Sequence, residues 1–573
     1  MSKWTELFKT TLRLIKGYWT SEQKLTAWGL LLIIVALNLV AVFILVLINK
    51  WYNDFYSALQ NYDADATFIY LLHFTGLAFC HIIVGVYKLY LRQMLQIKWR
   101  NFLTGAYLNR WLKNKNYYIM QVLKTDTDNP DQRISEDLNL FTNMTLVLSL
   151  GLLSAVVTLV SFVFILWDLS GVITIPTTTI TIPGYMVWAA IIYAVAGTYF
   201  AHYIGKPLIK LNFDQQRYEA DFRFSLVRLR ENSESVAFYK GEKLENQNFL
   251  RRFSNVIDNF WKIMKRQKKL TWFTSGYSQL AIIFPFVVAS PRYFAKELTL
   301  GGLMQVASAF GRVQDSLSFF VEAYTSLAEW KAVVNRLSGF VLDMDKSERV
   351  VIKDKLKIVQ KDNSAEELSL NNLSIKLPNN DVLLKDVNFT VKKGESILIT
   401  GASGAGKSTF LRTLAGLWPY AEGTINLPPN YNALFVPQKP YLPLGTLREV
   451  LLYPSFEHSN NEITDDKIRE IMTLCHLEEF YHLLDKTDDW SRILSLGEQQ
   501  RVAFARIFLK EPDWIFLDEA TSALDEDTEK HLYAHLSKKL TNTTIVSVGH
   551  RSSIIPYHQK KVLLENKNLV FIK

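Results

Sequence analysis

The strongest constraint on the fold of this chain is the apolar run Leu25–Ile48, which is long enough to cross the ~30 Å hydrocarbon core of a bilayer as a helix. Inside that core the backbone N–H and C=O groups must bond to one another, so a single spanning segment folds as an α-helix. Five more apolar segments follow, at Phe68–Leu91, Thr145–Trp167, Tyr185–Tyr203, Phe273–Ala289 and Leu300–Tyr324. We therefore predict an all-α transmembrane domain of six helices over residues 25–340, with a kink at Pro285 in the fifth.

The sixth segment is the least apolar of these, because it contains Arg312, Asp315 and Glu322. Taken alone, it would also suit a helix in water. Charged side chains inside a membrane domain face a cavity or pair with one another, since lipid does not solvate them. The sequence leaves open whether Arg312 and Asp315 form a structural pair or contact a transported molecule.

The distribution of basic residues predicts the orientation in the membrane. Lysine and arginine are frequent in segments 92–143 and 206–270, whereas Thr174–Pro183 carries no charge. By the positive-inside rule, the N-terminus and both long loops lie in the cytoplasm. Topology thus accounts for the net charge of +9, and we predict no nucleic-acid partner.

The regions on either side of the membrane domain have different patterns. Residues 1–24 mix basic and apolar side chains, which predicts an amphipathic helix on the membrane surface, with a frayed polar tail as the alternative. Residues 341–367 carry mixed charge and are predicted to form a linker. Over residues 368–573, short β-rich runs alternate with helical ones, which is typical of an α/β domain. The two cysteines, Cys80 and Cys475, lie far apart, so neither a disulfide framework nor a cysteine metal site is predicted.

The α/β domain contains a complete phosphate-binding motif. Residues 401–409 read GASGAGKST, which matches G-x-x-x-x-G-K-[ST] between an apolar strand and a helical stretch. The glycines let backbone N–H groups curl around phosphate oxygens, and the helix N-terminus adds positive potential. Lys407 is expected to reach the β- and γ-phosphates of ATP, and Ser408 offers a hydroxyl to Mg²⁺. The predicted ATP-binding residues of this loop are Gly401, Ala402, Ser403, Gly404, Ala405, Gly406, Lys407, Ser408 and Thr409.

Two adjacent carboxylates follow a second apolar strand, Trp514–Leu517. Sheets of α/β domains place their ligand sites at the carboxyl ends of strands, so Asp518 and Glu519 are expected beside the P-loop. Asp518 suits a Mg²⁺ partner, and Glu519 suits a general base that polarises the attacking water. Two solvated acids at a strand end are the alternative, which the intact P-loop disfavours.

Residues 494–501 read LSLGEQQR and closely resemble the signature motif of ABC ATPases. Leu496 stands where that motif often has glycine, and Glu498 where it often has glutamine. The resemblance implies that Ser495, Gly497 and Glu498 belong to the nucleotide site, with Ser495 and Gly497 at the γ-phosphate.

The remaining ABC elements follow in the family's order. By resemblance, Gln438 is the Q-loop glutamine that links Mg²⁺ and water to the membrane domain, Asp525 closes the D-loop, and His550 is the switch histidine at the γ-phosphate. Leu377 stands where such domains often stack adenine on an aromatic ring, so stacking is not expected. In this family two ATPase domains close head to tail on ATP, which implies a dimer.

Four segments resemble a narrower group, the SbmA/BacA-like and peroxisomal fatty-acyl-type (subfamily D) ABC transporters. They are Trp51–Gln60, Asn129–Asp137, Asn232–Glu242 and Tyr441–Arg448. The resemblance implies a half-transporter with an exporter-like fold that works as a homodimer, with a heterodimer with a similar chain as the alternative. Bacterial members of this group take up cobalamin, bleomycin and antimicrobial peptides.

From these features we expect ATP-driven transport of a bulky or polar solute of the cobalamin, peptide or bleomycin kind, in a bacterial inner membrane. A lipid or fatty-acyl-CoA transporter is the alternative, and so is a membrane ATPase that regulates a partner without carrying cargo. The expected cofactors are ATP and Mg²⁺. The expected partners are a second copy of the chain, membrane lipid and the transported solute.

Overall fold

The computed structural model describes residues 11, 12, 14–123, 129–174, 181–352, 355–360, 366–454, 463–565 and 567–572. The chain divides into two compact units, residues 1–109 with 127–341 and residues 110–126 with 342–573. We call the first the helical unit and the second the sheet unit. Of the predicted surface helix over residues 1–24, residues 14–19 are helical, and residues 1–10 and 13 lie outside the described part.

The N-terminal part of the chain consists mainly of helices, most of which are long. They are α1 Lys24–Gln60, α2 Ala64–Leu112, α3 Asn116–Val122, α4 Leu138–Ser170, α5 Tyr185–Glu231, α6 Ser233–Phe238, α7 Glu242–Phe294 and α8 Leu300–Ile352. Two short strands, β1 Val172–Thr174 and β2 Thr181–Pro183, pair antiparallel between α4 and α5.

Five of the described helical segments are long and apolar enough to cross a membrane. They are Lys24–Gln60, Ala64–Val122, Pro130–Ser170, Tyr185–Glu231 and Glu242–Phe294, and each contains one of the first five predicted spans. Helix α8 contains the sixth predicted span and is not among these five, so that crossing stays a prediction. Pro285 lies inside α7, which continues beyond it to Phe294.

Buried amides join the helices of the helical unit. Asn38 of α1 donates a hydrogen bond to the carbonyl oxygen of Leu150 in α4, at 3.2 Å. Asn49 of α1 donates to the carbonyl oxygen of Gln305 in α8, at 3.0 Å. Both asparagines are buried. Because lipid offers no hydrogen-bonding partner, such bonds favour helix association within a membrane domain.

A buried carboxylate joins the start of α4 to α8. Asp137 closes a π-helical turn, Arg133–Asp137, and its side chain is 2% exposed. It accepts a hydrogen bond from Arg133 Nη1 at 2.9 Å, and Arg336 of α8 donates to both carboxylate oxygens at 2.9 and 2.6 Å. Three charge-assisted bonds offset the removal of this carboxylate from water, which otherwise carries a large penalty.

The sheet unit is built from short strands and helices. Its strands are β3 Lys355–Gln360, β4 Glu367–Lys376, β5 Val382–Lys392, β6 Ser396–Thr400, β7 Ala421–Leu427, β8 Ala433–Val436, β9 Gly445–Thr446, β10 Thr487–Asp488, β11 Trp514–Asp518, β12 Thr544–Val548, β13 Lys560–Glu565 and β14 Asn568–Ile572. Its helices are α9 Lys407–Leu414, α10 Leu447–Leu452, α11 Asp465–Leu474, α12 Trp490–Ile493, α13 Leu496–Lys510 and α14 Glu526–Lys539.

The principal sheet has the strand order β14-β13-β6-β12-β11-β8, in which β14 is antiparallel to β13 and the other pairs are parallel. A second sheet has the order β3-β7-β4-β5. Strands β11 and β12 are buried almost throughout, as expected for parallel strands covered on both faces. One apolar cluster includes Phe504, Leu532 and Ile545, and the other includes Phe410 and Phe516. The carboxyl ends of β6 and β11 consequently lie at one edge of a rigid sheet.

The stretch 341–367, which the sequence predicts to be a linker, contains regular structure where it is described. Helix α8 continues to Ile352, and β3 pairs in parallel with β7. Residues 353–354 and 361–365 lie outside the described part. The mixed charge of this stretch suits an edge strand with one exposed side, and for that reason it resembles a linker in the sequence.

Candidate nucleotide site

The P-loop turns from β6 into α9 through backbone conformations that glycine favours. Gly401, Gly404 and Gly406 have φ values of 155°, 78° and 101°. A Cβ atom on Gly406 would lie 2.5 Å from the Leu383 side chain, and one on Gly401 would lie 2.7 Å from the carbonyl oxygen of Leu564. Crowding and positive φ therefore both require glycine at Gly401 and Gly406.

The other residues of the loop complete the turn. Ala402, Ser403 and Gly404 are exposed, and Ala405 N donates to the carbonyl oxygen of Ala402 at 3.2 Å. Thr409 lies in the first turn of α9, where its carbonyl accepts from Thr413 Oγ1 at 2.8 Å. The exposed apex and the N-terminus of α9 leave backbone N–H groups facing one side, which suits an anion.

Lys407 lies across the loop that precedes it. Its ammonium group donates to the carbonyl oxygens of Gly401 and Ala402, at 3.0 Å each. The residue is 6% exposed. The positive charge is thus held at the mouth of the loop, where phosphate oxygens can replace the two carbonyls as its partners.

Ser408 and Asp518 meet at the edge of the sheet. The Ser408 hydroxyl donates to Asp518 Oδ1 at 3.0 Å, which joins the start of α9 to the end of β11. Burial raises the pKa of Asp518, and the hydrogen bond from Ser408 acts in the opposite direction. A hydroxyl and a carboxylate side by side are hard oxygen donors of the kind that Mg²⁺ prefers.

Glu519 lies between two side chains from other segments. Gln438 Nε2 donates to Glu519 Oε2 at 3.2 Å, and His550 Nε2 is 3.6 Å from Glu519 Oε1. Glu519 has a left-handed backbone conformation, with φ at 48°, and its N–H donates to the carbonyl oxygen of Val548 in β12. The structure thus brings together the three residues predicted to be catalytic. A non-glycine residue in a strained conformation beside such a cluster is a common feature of functional sites.

The signature segment forms the start of α13. Ser495 is the N-cap residue, and its hydroxyl accepts from Glu498 N while Glu498 Oε2 accepts from Ser495 N, at 3.3 and 2.7 Å. A Cβ atom on Gly497 would lie 3.2 Å from the carbonyl oxygen of Ala523. Among the described residues, no hydrogen bond joins Ser495 or Gly497 to the P-loop of the same chain. Reciprocal capping leaves the first-turn N–H groups of α13 well ordered.

Asp525 has a structural role that the resemblance does not indicate. It caps α14, where Asp525 Oδ1 accepts from Thr528 N at 2.8 Å. This bond is the largest of the effects that lower the pKa of Asp525. The structure does not bring this residue into contact with the P-loop cluster.

The sequence reasoning missed two residues that connect the motifs. Gln500 is fully buried, and its amide donates to the carbonyl oxygen of Gln438 at 2.9 Å and to Ser522 Oγ at 3.1 Å. Its side-chain oxygen accepts from Ala523 N at 2.9 Å. Arg551 donates to the carbonyl oxygens of Leu524 and Ser522, at 2.7 and 2.9 Å. The sequence offered two signals for these residues. Gln500 lies inside the signature segment, and Arg551 directly follows His550.

Leu377, predicted in place of an aromatic residue, follows β4 and packs on the apolar cluster that includes Phe410 and Phe516. Leu383, also packed on that cluster, lies directly beside Gly406 of the P-loop. An aliphatic surface therefore adjoins the phosphate-binding loop.

A second candidate site is a cavity of about 540 Å³ inside the helical unit, between α5, α7 and α8. Its polar lining includes His202, Tyr277, Gln314 and Asp315. In the part of the chain that the structure describes, no ion pair joins Asp315 to Arg312. Asp315 lines this cavity, and Arg312 is not among its lining residues.

Two family models match the chain, and both describe ABC transporters. Residues 14–294 match the ABC transporter transmembrane region 2, and residues 384–522 match the ABC transporter domain. The fold and the site thus define a class of protein in which a helical membrane region is fused to an ATPase domain. The chain belongs to the ABC transporters, as a half-transporter of the subfamily D type.

Curated relatives resemble the chain over nearly its whole length. An ABC transporter ATP-binding protein of Haemophilus influenzae is 38% identical and is covered over 91% of its length by 96% of this chain. The inner membrane ABC transporter ATP-binding protein YddA of Escherichia coli is 35% identical, with 95% of each chain covered. The human lysosomal cobalamin transporter ABCD4 is 26% identical, with 96% of this chain and 93% of the relative covered.

Among solved structures, a bacterial Atm1-family ABC exporter with ATP bound has a TM-score of 0.70 at 18% identity. The similarity covers 96% of this chain and 95% of the exporter. At that identity the comparison establishes the exporter fold. The expected fold class, a helical transmembrane domain followed by an ABC domain, is therefore confirmed, and so is an ATPase coupled to transport.

Proposed function

We propose that two copies of this chain form an ATP-driven transporter for a bulky or polar solute, with cobalamin-like and peptide-like molecules as the favoured cargo. The observation that carries the catalytic part is the position of Glu519, 3.2 Å from Gln438 and 3.6 Å from His550. Glu519 directly follows Asp518 in the chain, and Asp518 accepts a hydrogen bond from Ser408. This arrangement can bind phosphates and activate a water molecule at one place.

The proposed chemistry is hydrolysis of the γ-phosphate of ATP. Lys407 and the N–H groups of residues 401–409 bind the phosphates, and Glu519 accepts the proton of the attacking water. As the water oxygen bonds to the γ-phosphorus, the bond to the β-phosphate oxygen breaks, and ADP leaves with inorganic phosphate. Gln438 and His550 orient the carboxylate and the γ-phosphate. General-base catalysis of this kind typically contributes about 10²–10⁴-fold in rate.

We propose Ser408, Asp518 and Gln438 as the residues that hold Mg²⁺. All three present oxygen atoms, and the contact between Ser408 and Asp518 already places two of them together. The chemistry that Mg²⁺ supplies there is neutralisation of the charge on the β- and γ-phosphate oxygens.

A pair of chains completes the proposed nucleotide site. In ABC proteins the signature of one ATPase domain closes the P-loop of the other, and here Ser495, Gly497 and Glu498 form a capped helix start without a nucleotide-site partner in their own described chain. We propose that these residues and Asp525 serve the second copy. The proposed domains are a surface helix over residues 1–24, a membrane domain over 25–340 and an ATPase domain over 368–573.

The proposed cargo site is the cavity of about 540 Å³ in the helical unit. Ligand pockets commonly have volumes of about 300–1,000 Å³, with a few placed polar groups. Asp315 and Gln314 offer acceptors to amide donors, and Lys206 of the same lining offers a donor to carbonyl oxygens, so the cavity suits the amide groups of peptides and of corrinoid side chains. The similarity to a lysosomal cobalamin transporter supports the same choice.

We propose a bacterial inner membrane as the location, with the N-terminus and the ATPase domain in the cytoplasm. The basic segments 92–143 and 206–270 support this orientation. The similarity to an inner membrane protein of Escherichia coli supports the membrane.

The test is ATP hydrolysis by the purified protein in lipid, for the wild type and Glu519→Gln, with and without cobalamin. We expect Glu519→Gln to lower turnover about 10²–10⁴-fold while ATP binding is retained. Glu526→Gln, an exposed acid at the start of α14, is the matched control and should hydrolyse like the wild type.

Stimulation of the wild type by cobalamin would support the favoured cargo. Stimulation by fatty-acyl-CoA instead would favour the lipid alternative. Turnover in Glu519→Gln equal to that of the wild type would refute the assignment of the general base.

A further inference from the structure

The helical unit contains a second concavity, of about 520 Å³, between α5 and α7. Most of its polar lining is basic. The basic residues are Lys210, Lys262, Lys265, Arg266 and Lys269, and the one acidic residue is Asp214. We call this the basic concavity.

The basic concavity is fixed by the packing of α7 on α5. Val256, Asn259 and Ile263 are the buried positions of α7 in this region. The Asn259 amide donates to the carbonyl oxygen of Leu211 and to Gln215 Oε1 of α5, at 2.9 Å each. This buried, doubly bonded asparagine holds the two helices in one register, so the adjoining side chains have a defined position.

Four of the five cations occupy one stripe of α7. Lys262, Lys265, Arg266 and Lys269 are spaced i, i+3, i+4 and i+7, which places them on a single side of the buried contact with α5. Lys268 falls on the opposite side of the helix and does not line the concavity. The charge is therefore concentrated toward the concavity and is not spread around the helix.

This positive charge is not neutralised within the described chain. The Asp214 carboxylate is 3.4 Å from Arg217, outside the stripe. In the part of the chain that the structure describes, none of the five cations of the basic concavity forms an ion pair. Like charges at i, i+4 repel one another, so an anion from outside the chain would stabilise the arrangement.

The position along the helices identifies the source of the anion. The adjacent predicted spans are Tyr185–Tyr203 and Phe273–Ala289. At about 1.5 Å per residue, Lys210 and Lys269 lie roughly 10 Å and 6 Å beyond the ends of these spans. The headgroup layer occupies about 5–8 Å on each side of the hydrocarbon core. Lys269 therefore lies at the level of the lipid phosphates, and the other four cations extend the positive charge from there into the adjoining water.

We propose that the basic concavity binds the phosphate headgroup of an anionic phospholipid and thereby fixes the α5–α7 pair at the membrane surface. Clustered lysine and arginine next to a membrane span attract anionic lipid, and each contributes separately. Binding of lipid at the basic concavity requires neither ATP nor cargo. This proposal can therefore fail while the proposed function stands, and the proposed function can fail while this proposal stands.

The experiment uses the full-length protein in lipid nanodiscs that contain equal amounts of phosphatidylcholine and phosphatidylglycerol. Native mass spectrometry of the released protein counts the retained lipids of each type. The test variant is Lys262→Gln/Lys265→Gln/Lys269→Gln. The control is Lys243→Gln/Arg252→Gln/Lys268→Gln, which removes the same charge from exposed positions of α7 outside the basic concavity.

We expect the wild type and the control to retain phosphatidylglycerol in preference to phosphatidylcholine. Each lysine removed from the basic concavity should weaken this retention about fivefold. The melting temperatures of both variants in phosphatidylcholine alone show whether they are folded. If the triple variant is unfolded, Lys265→Gln is used in its place. For this single change we expect the retention of phosphatidylglycerol to weaken about fivefold.

Two results would overturn the proposal. An equal loss in the test and control variants would mean that only the overall charge of α7 matters. Binding of inorganic phosphate that Lys265→Gln weakens, without any preference for phosphatidylglycerol, would identify a site for free phosphate and not for lipid.

Discussion

Asp518 and Asp315 are acidic residues of the two candidate sites, yet their surroundings differ. Asp518 lies at the end of β11 and accepts a hydrogen bond from Ser408 at 3.0 Å, beside Lys407 and Glu519. Asp315 lies on a long helix and faces a cavity of about 540 Å³, with no ion pair in the described chain. The first carboxylate is held by its own chain in a fixed geometry, whereas the second is left available to a molecule that enters the cavity.

Asp137 is a second carboxylate of the helical unit, and it is bonded to side chains of its own chain. Its side chain is 2% exposed and is bonded to Arg133 and Arg336. Asp137 is thus bonded within its own chain, whereas Asp315 faces the cavity of about 540 Å³. Substitution of Asp137 is therefore expected to lower stability, whereas substitution of Asp315 is expected to change the response to cargo.

The largest effect on stability is expected for Asp137→Asn. This change leaves two arginines without their carboxylate, and breaking a buried pair typically costs about 3–5 kcal/mol. The measurement is the free energy of unfolding, or the melting temperature, of the protein in detergent. Asp131→Asn, an exposed acid one turn and a half earlier, is the control and should melt like the wild type.

The next effect is expected for Gln500→Ala in the sheet unit. The change removes three buried hydrogen bonds that join Gln438 to the segment at Ser522 and Ala523. Leaving such groups unsatisfied costs about 1–3 kcal/mol. Melting curves and the turnover of ATP should both fall, with exposed Gln559→Ala as the control. Unchanged turnover in a destabilised variant would limit Gln500 to a structural role.

A smaller effect, on cargo alone, is expected for Asp315→Asn. Loss of the charge weakens a charge-assisted hydrogen bond to a cargo amide, so the cobalamin concentration for half-maximal stimulation should rise about tenfold. The melting temperature should remain that of the wild type, in contrast to Asp137→Asn. A fall in melting temperature without a change in cobalamin response would identify Asp315 as structural and remove the distinction between the two aspartates.

The smallest effect is expected for Asp518→Asn without nucleotide. Burial raises the pKa of Asp518 above its ordinary value of 3.8, because the folded protein favours the protonated side chain. The stabilisation that this preference gives to the folded state is fully present below pH 3.8. It is lost as the pH rises through the folded-state pKa. The asparagine variant should therefore melt slightly higher than the wild type at neutral pH, with equal stability at low pH, although it loses hydrolysis. A lower melting temperature at neutral pH would contradict this account.

The residues predicted for the nucleotide site belong to short motifs whose backbone geometry is local, and their role in binding ATP stays a prediction. The P-loop, the acidic strand end, Gln438 and His550 each carry such a pattern, and the sheet brings their ends to one edge. Gln500 and Arg551 were missed, since their role is to connect motifs and depends on burial. The strand β3 was also missed, because its edge position leaves a linker-like composition.

The cavity and the basic concavity could not be predicted in the same way. Their residues come from separate helices, at positions that depend on which faces pack together. Asp315 illustrates this limit, since the sequence allowed either pairing with Arg312 or exposure to a cavity. The spacing from Lys262 to Lys269 was visible in the sequence, but its orientation toward α5 follows only from the buried contact of Asn259.

In the proposed function, hydrolysis at Glu519 drives a solute through the helical unit. This coupling is measured as the flux of radiolabelled cobalamin across proteoliposome membranes, with wild-type protein and Glu519→Gln, in the presence of ATP. We expect flux that depends on ATP in the wild type and is absent in Glu519→Gln. Flux of equal size in both proteins would contradict the coupling of transport to this site.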